Sequence, residues 1–178
     1  MKKHVETFDY AGTICKEMKK GILLTTKVDD KVNTMTIGWG KIGIEWGKPI
    51  FIAYVRESRY TKTMLEQSGE FTVNIPMGEV DKKILGYCGT KSGRNTDKIA
   101  DMGLTLEEGA SNTVPGIKAL PLTRECKVIY KQKQDLSAIP EEILARYYPQ
   151  DVDGSAPGSN RDYHIAYYGE IVNTYIIE

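Results

Sequence analysis

Alternation of apolar and polar positions, rather than a sustained helical period, runs through most of this chain. Residues 21–27 and 32–44 interleave Leu, Val, Met and Ile with Thr, and the polar cluster Val28-Asp29-Asp30-Lys31 separates them, so the pair predicts a β-hairpin. Residues 50–55 are an unbroken apolar run between Pro49 and a charged loop, the pattern of a strand covered on both faces. Residues 60–67 predict a short helix ended by Ser68-Gly69. A strand follows, in which Phe71, Val73 and Ile75 alternate with polar Thr72 and Asn74 until Pro76 stops it. Val80, Ile84 and Leu85 share one face of a helix predicted over 80–87, and residues 97–102 form another, capped by Asp97 and closed by Gly103. Residues 123–132 and 163–177 read as strands, the second interrupted at Gly169. A brief helix at 137–148, with Pro140 near its start and Glu141-Glu142 in its first turn, precedes an exposed loop at 149–160. Seven or so strands, short helices and no repeat period predict a mainly β fold, a closed antiparallel barrel with helical additions.

Composition narrows the function classes. At 178 residues the chain suits one domain, 1–178, with one substantial core. Its 24 basic and 24 acidic residues balance, and no basic block is long enough to track a phosphate backbone, which argues against nucleic acid. Residues 1–20 are charged throughout, and no apolar run reaches bilayer-spanning length, so a soluble protein away from the membrane is expected. Cys15, Cys88 and Cys126 are odd in number and widely spaced, giving neither a disulfide framework nor a CxxC pair. That usage fits a reducing cytoplasm. GxGxxG, HExxH, GxSxG and zinc-spaced Cys/His patterns are all missing, which leaves no sign of a metal centre or of those enzyme classes.

Two stretches carry candidate chemistry. Asn33-Thr34-Met35-Thr36-Ile37-Gly38-Trp39 is a β-type segment whose small hydroxyl side chains leave room for a flat ligand and offer polar groups to its edge. Arg56-Glu57-Ser58-Arg59-Tyr60-Thr61 is a loop entering a helix, where N–H groups and the helix dipole favour an anion such as phosphate. A third segment, Gly89 to Thr96, is small, Gly-containing and basic through Lys91 and Arg94. On residue type alone Thr34 and Thr36 are ordinary strand residues, Met35 and Ile37 are core, Trp39 and Trp46 are core or interface anchors, and Lys91, Ser92, Arg94 and Lys98 are solvated surface. Chemistry alone reaches a phosphate-bearing ligand.

The ordered set Gly21, Leu24-Thr25-Thr26, Asn33-x-Met35-Thr36, Trp39, Trp46-Gly47-Lys48-Pro49, Arg59-Tyr60-Thr61, Phe71-x-Val73-Asn74, Ser92-Gly93-Arg94, Asp97-Lys98 and His164 resembles the flavin reductase-like, FMN-binding split-barrel family. Only about residues 105–160 fall outside the likeness. The resemblance implies a Greek-key split β-barrel with short peripheral helices, a homodimer, and FMN held by Asn33, Thr34, Met35, Thr36, Trp39, Arg59, Thr61, Lys91, Ser92, Arg94 and Lys98, with Arg59 and Thr61 at the phosphate. It implies an NAD(P)H-dependent flavin reductase that passes electrons to a second acceptor, with a flavoredoxin-like electron carrier as the alternative. Exposed aromatics such as Tyr147, Tyr148, Tyr167 and Tyr168 are candidates for the dimer contact or for the barrel core. His164, Gly169 and Glu170 keep a spacing found in two-component flavin reductases, so the resemblance assigns His164 to positioning the NADH or NADPH donor. The lead-in differs, being Asp162-Tyr163-His164 where those reductases have Gly-Asp-His.

Overall fold

The computed structural model describes residues 1–153 and 160–178. Its strands are β1 (Lys2–His4), β2 (Ile22–Val28), β3 (Lys31–Ile37), β4 (Gly40–Glu45), β5 (Lys48–Arg56), β6 (Glu70–Ile75), β7 (Leu106–Glu107), β8 (Gly116–Ile117), β9 (Leu122–Lys133) and β10 (His164–Ile177). Its helices are α1 (Ala11–Met18), α2 (Tyr60–Ser68), α3 (Lys82–Thr90), α4 (Lys98–Asp101) and α5 (Glu141–Tyr147). The principal sheet runs β3-β2-β6-β9-β10-β5-β4, with β1 added to β10, and the short β7-β8 pair stands apart. Every described pairing is antiparallel. The edge strands β3 and β4 are joined directly by Gly38-Trp39, so the path folds back on itself as a split barrel, the mainly β architecture expected from the sequence.

The predicted continuous strand over 32–44 is thus two strands on different partners: β3 pairs with β2, and β4 pairs with β5. The corner needs small residues, because a Cβ at Gly40 would lie 3.0 Å from Phe51 Cζ and 3.1 Å from Met18 Sδ. The helix predicted over 137–148 is also divided, into a 3-10 turn at Leu136–Ala138 and α5. Pro140 restricts its predecessor to extended backbone, and Ile139 has φ −96° and ψ 127°. The strand count exceeds seven because β1, β7 and β8 are too short to leave a periodic trace. The flanks of the predicted loop at 149–160 are described, and 154–159 lie outside the described residues.

Phe51, Phe71, Leu24, Val73, Ile75, Leu122, Ile171 and Tyr167 fill the barrel, and α1 plugs it with Ile14 and Met18. A smaller cluster of Leu23, Ile84, Cys88, Leu104, Ile117 and Leu120 seats α3 and α4 on the outside of β2 and β3. Thr72 and Asn74, the polar positions of β6, are fully buried. Their cost is offset by a closed network: Asn74 Nδ2 donates to Thr25 Oγ1 (3.0 Å) and Thr72 Oγ1 (3.2 Å), and Asn74 Oδ1 accepts from Ile117 N (2.9 Å). No described helix is long and apolar enough to cross a membrane.

Candidate functional site

A cavity of about 770 Å³ opens between β3, the start of α2 and the α3–α4 connection, and it brings together most of the sequence candidates. Asn33, Met35, Thr36 and Trp39 line it from β3 and the β3–β4 corner, Arg59 and Thr61 from the entry to α2, Lys91, Ser92 and Lys98 from the α3–α4 segment, and His164 from the start of β10. Two candidates fall outside the lining. Thr34 lies on the outer face of the β2–β3 pair with Leu23, and its hydroxyl is already engaged within the sheet, donating to the Leu24 carbonyl (3.2 Å) and accepting from Thr25 (3.1 Å). Arg94 instead lies over the Tyr60 ring, 5.4 Å from its centroid. Met35, a core residue by type and an FMN contact by resemblance, is half-buried, packs on the core cluster and also lines the cavity.

At the phosphate-type end, Asn33 Nδ2 donates to Thr61 Oγ1 (2.9 Å), which ties β3 to the first turn of α2. Asn33 Oδ1 is buried and has no donor. Gly93 presses so close that a Cβ there would stand 2.0 Å from that oxygen. An unsatisfied buried acceptor costs roughly 1–3 kcal/mol, so a ligand N–H or O–H reaching this corner would recover it. Arg59 occupies the N-cap of α2 in extended backbone, and it lines the cavity. Arg56, from the same loop, is buried and structural, donating to the carbonyls of Tyr147, Asn160 and Asp162. The Asp162 carboxylate accepts the Ser58 N–H at 2.7 Å, so that amide is already engaged.

Lys98 is only 5 % exposed. Asp97 caps α4 by accepting from Ile99 N and Ala100 N, both at 3.1 Å, and so sets the Lys98 side chain against β3. Its ammonium donates to the carbonyls of Thr34 (2.8 Å) and Cys88 (3.0 Å), and burial brings its pKa down to about 8. A cation is therefore fixed at the cavity wall by backbone oxygens that do not neutralise it.

At the other end Trp39 lies 4.9 Å from the His164 ring and 5.2 Å from Tyr147, while Tyr54 meets His164 edge-on at 6.4 Å. Burial first, and then the Arg56 charge, push His164 down to about 4, so it is neutral at physiological pH. Sequence reasoning missed Tyr54 and Cys88, which also line the cavity, and Gln134, which bonds His164 from outside it. Only their neighbours in space mark them. Of the tyrosines offered for either the dimer contact or the barrel core, Tyr148 and Tyr167 are 3 % and 1 % exposed and belong to the interior. The described residues contain no cluster of three His, Cys, Asp or Glu able to hold a metal ion. Cys15, Cys88 and Cys126 are free thiols.

Comparison with known proteins agrees with this architecture. The sequence model of the flavin reductase like domain matches residues 17–178. An uncharacterized protein of Archaeoglobus fulgidus is 32% identical over 100 residues, covering 56% of this chain and 55% of that protein. The matched region is thus little more than half of that curated relative's length. Among solved structures, flavoredoxin of Desulfovibrio vulgaris (Miyazaki F) superposes with a TM-score of 0.63 at 23% identity, covering 89% of this chain and 69% of that one. Flavoredoxin from Methanosarcina acetivorans gives 0.61 at 25% identity, over 89% and 68% of the two chains.

Proposed function

The chain belongs to the flavin reductase-like family, and on that premise we propose that it is a cytoplasmic FMN-binding oxidoreductase, an NAD(P)H:flavin reductase that hands electrons to a second acceptor. The observation that carries this reading is the cavity itself, where a fixed buried cation, an orphaned amide oxygen and a helix start stand at one side and a neutral histidine among aromatics at the other. The residues fit a flavin mononucleotide. Arg59, Thr61 and the first turn of α2 would hold its phosphate with Ser92 and Lys91, and Asn33, Met35, Thr36 and Trp39 would bind its ring.

FMN, when bound, supplies the hydride and electron chemistry. The protein's share is to hold the ring, exclude water with Trp39 and Tyr54, and keep the Lys98 charge beside it. His164 positions the nicotinamide donor by hydrogen bonding. At neutral pH it carries no charge and is not the source of a proton. A homodimer is part of this proposal. Ile44, Trp46 and Tyr130 are 71 %, 58 % and 43 % exposed, and Trp46, Tyr130 and Tyr168 form one aromatic patch on the barrel wall.

The structural likeness to flavoredoxins favours a second reading, an FMN electron carrier that takes no hydride from nicotinamide. Absorption of the FMN-loaded protein in an anaerobic cuvette separates them. Rapid bleaching of the yellow colour by NADH or NADPH is the result expected of a reductase; bleaching only by dithionite assigns the carrier role.

A further inference from the structure

The hydrogen bonds behind His164 determine which of its ring nitrogens carries the proton. The backbone N–H of His164 donates to the Gln134 side chain at 3.1 Å, so the amide group facing it is the oxygen and not the NH2. The Tyr148 hydroxyl lies 2.8 Å from that same oxygen. An amide oxygen has no proton to give, so Tyr148 donates to Gln134 and spends its single hydrogen there. Its lone pairs then face His164 Nδ1, also at 2.8 Å. Nδ1 must carry the proton, or two lone pairs would meet. His164 is neutral, and a neutral imidazole has one N–H, so Nε2 is bare. Nε2 has no hydrogen-bond partner among the described residues, and His164 lines the cavity.

We infer that Gln134 and Tyr148 are positioning residues that lock His164 in the Nδ1–H tautomer and make its Nε2 a hydrogen-bond acceptor for the electron donor. The ligand this suits presents a donor group at that point, a primary amide or a hydroxyl; a carboxylate in the same place would set lone pair against lone pair. The inference rests on the cavity's being the donor site, but the tautomer lock is a property of the protein alone. Tyr54 on β5 and Trp39 on the β3–β4 corner meet the ring, and Arg56, Arg59 and Asp162 are the charges that act on it. Arg56 repels a second proton and, with burial, outweighs the opposing pull of the Asp162 carboxylate.

Long-range 1H–15N correlation on the 15N-labelled, FMN-loaded protein tests this directly, because the chain has only two histidines and a His4→Asn variant assigns them. The wild type is expected as the Nδ1–H tautomer. Gln134→Glu keeps an acceptor for Tyr148 and should keep that tautomer. Gln134→Leu removes it, frees the Tyr148 proton to turn toward Nδ1, and should invert the ring to Nε2–H. In steady state Gln134→Leu should raise the KM for the nicotinamide donor about tenfold, the scale of one lost hydrogen bond, with less change in kcat, and Gln134→Glu should restore it. A wild-type Nε2–H ring, or a folded Gln134→Leu protein that stays Nδ1–H, overturns the inference. The wild-type spectrum decides even if the leucine variant does not fold. Failure of both nucleotides to bleach the flavin would defeat the reductase reading and leave the tautomer result standing.

Discussion

At the residue scale Lys98 gives the sharpest dependence on conditions. Its ammonium is held by two carbonyls in a desolvated place, and its pKa is down to about 8 from an ordinary value of 10.5. Between those values the unfolded chain binds the proton and the folded one does not, so this residue's contribution to stability rises with pH across that window. Ligand binding runs the opposite way. An anionic ligand needs the charged form, so FMN affinity is expected to fall by up to tenfold per pH unit above about pH 8. Lys98→Met should bind FMN more weakly at pH 7, lower the midpoint potential of the bound flavin, and lose the pH dependence. A flat wild-type affinity across pH 7 to 9.5, read by flavin fluorescence, would remove Lys98 from the site. Composition treats this lysine as surface, and only the family resemblance pointed inward. The reason is physical: its burial comes from α4 docking on β3, a contact between segments 64 positions apart for the Lys98–Thr34 bond.

Among elements, β10 organises the barrel. Over its first half it pairs with β5, at its end with β1, and with β9 along most of its length. Its register slips at Tyr168/Gly169 and again at Ile171/Asn173, which lets one long strand bend around the core. The expected break at Gly169 is therefore a bulge within a continuous strand. A Cβ at Gly169 would come within 2.5 Å of Phe71 Cζ and 2.8 Å of Cys126 Cβ. Gly169→Ala is expected to destabilise the protein by about 1–3 kcal/mol through overpacking, read as a lower urea midpoint. An unchanged midpoint would mean that the strand shifts register at no cost. The long strands and α2 were legible from period and punctuation, including Gly69, which takes the left-handed C-cap conformation at φ 65°. Helix α1 was not. It buries only Ile14 and Met18, too few apolar positions to stand out in a charged segment.

For the whole molecule, the split-barrel topology follows from strand order and could be anticipated only through the ordered motifs; alternation alone fixed the fold class. Short-range pattern likewise could not tell which tyrosines are interior, because Tyr167 and Tyr168 are adjacent on one strand and point to opposite faces. The proposed dimer belongs to this scale. Sedimentation should give about twice the chain's 20.0 kDa, and Trp46→Glu should shift the protein toward monomer; a monomeric wild type would reject the patch as an interface. The central claim is that the cavity beside β3 holds FMN, and flavin titration of the wild type against Arg59→Ala addresses it most directly. Saturable binding of one FMN per chain, weakened at least about tenfold by the loss of one charge-assisted phosphate contact, with riboflavin binding the two proteins alike, is the predicted result. No saturable binding, or FMN affinity indifferent to Arg59, would contradict it.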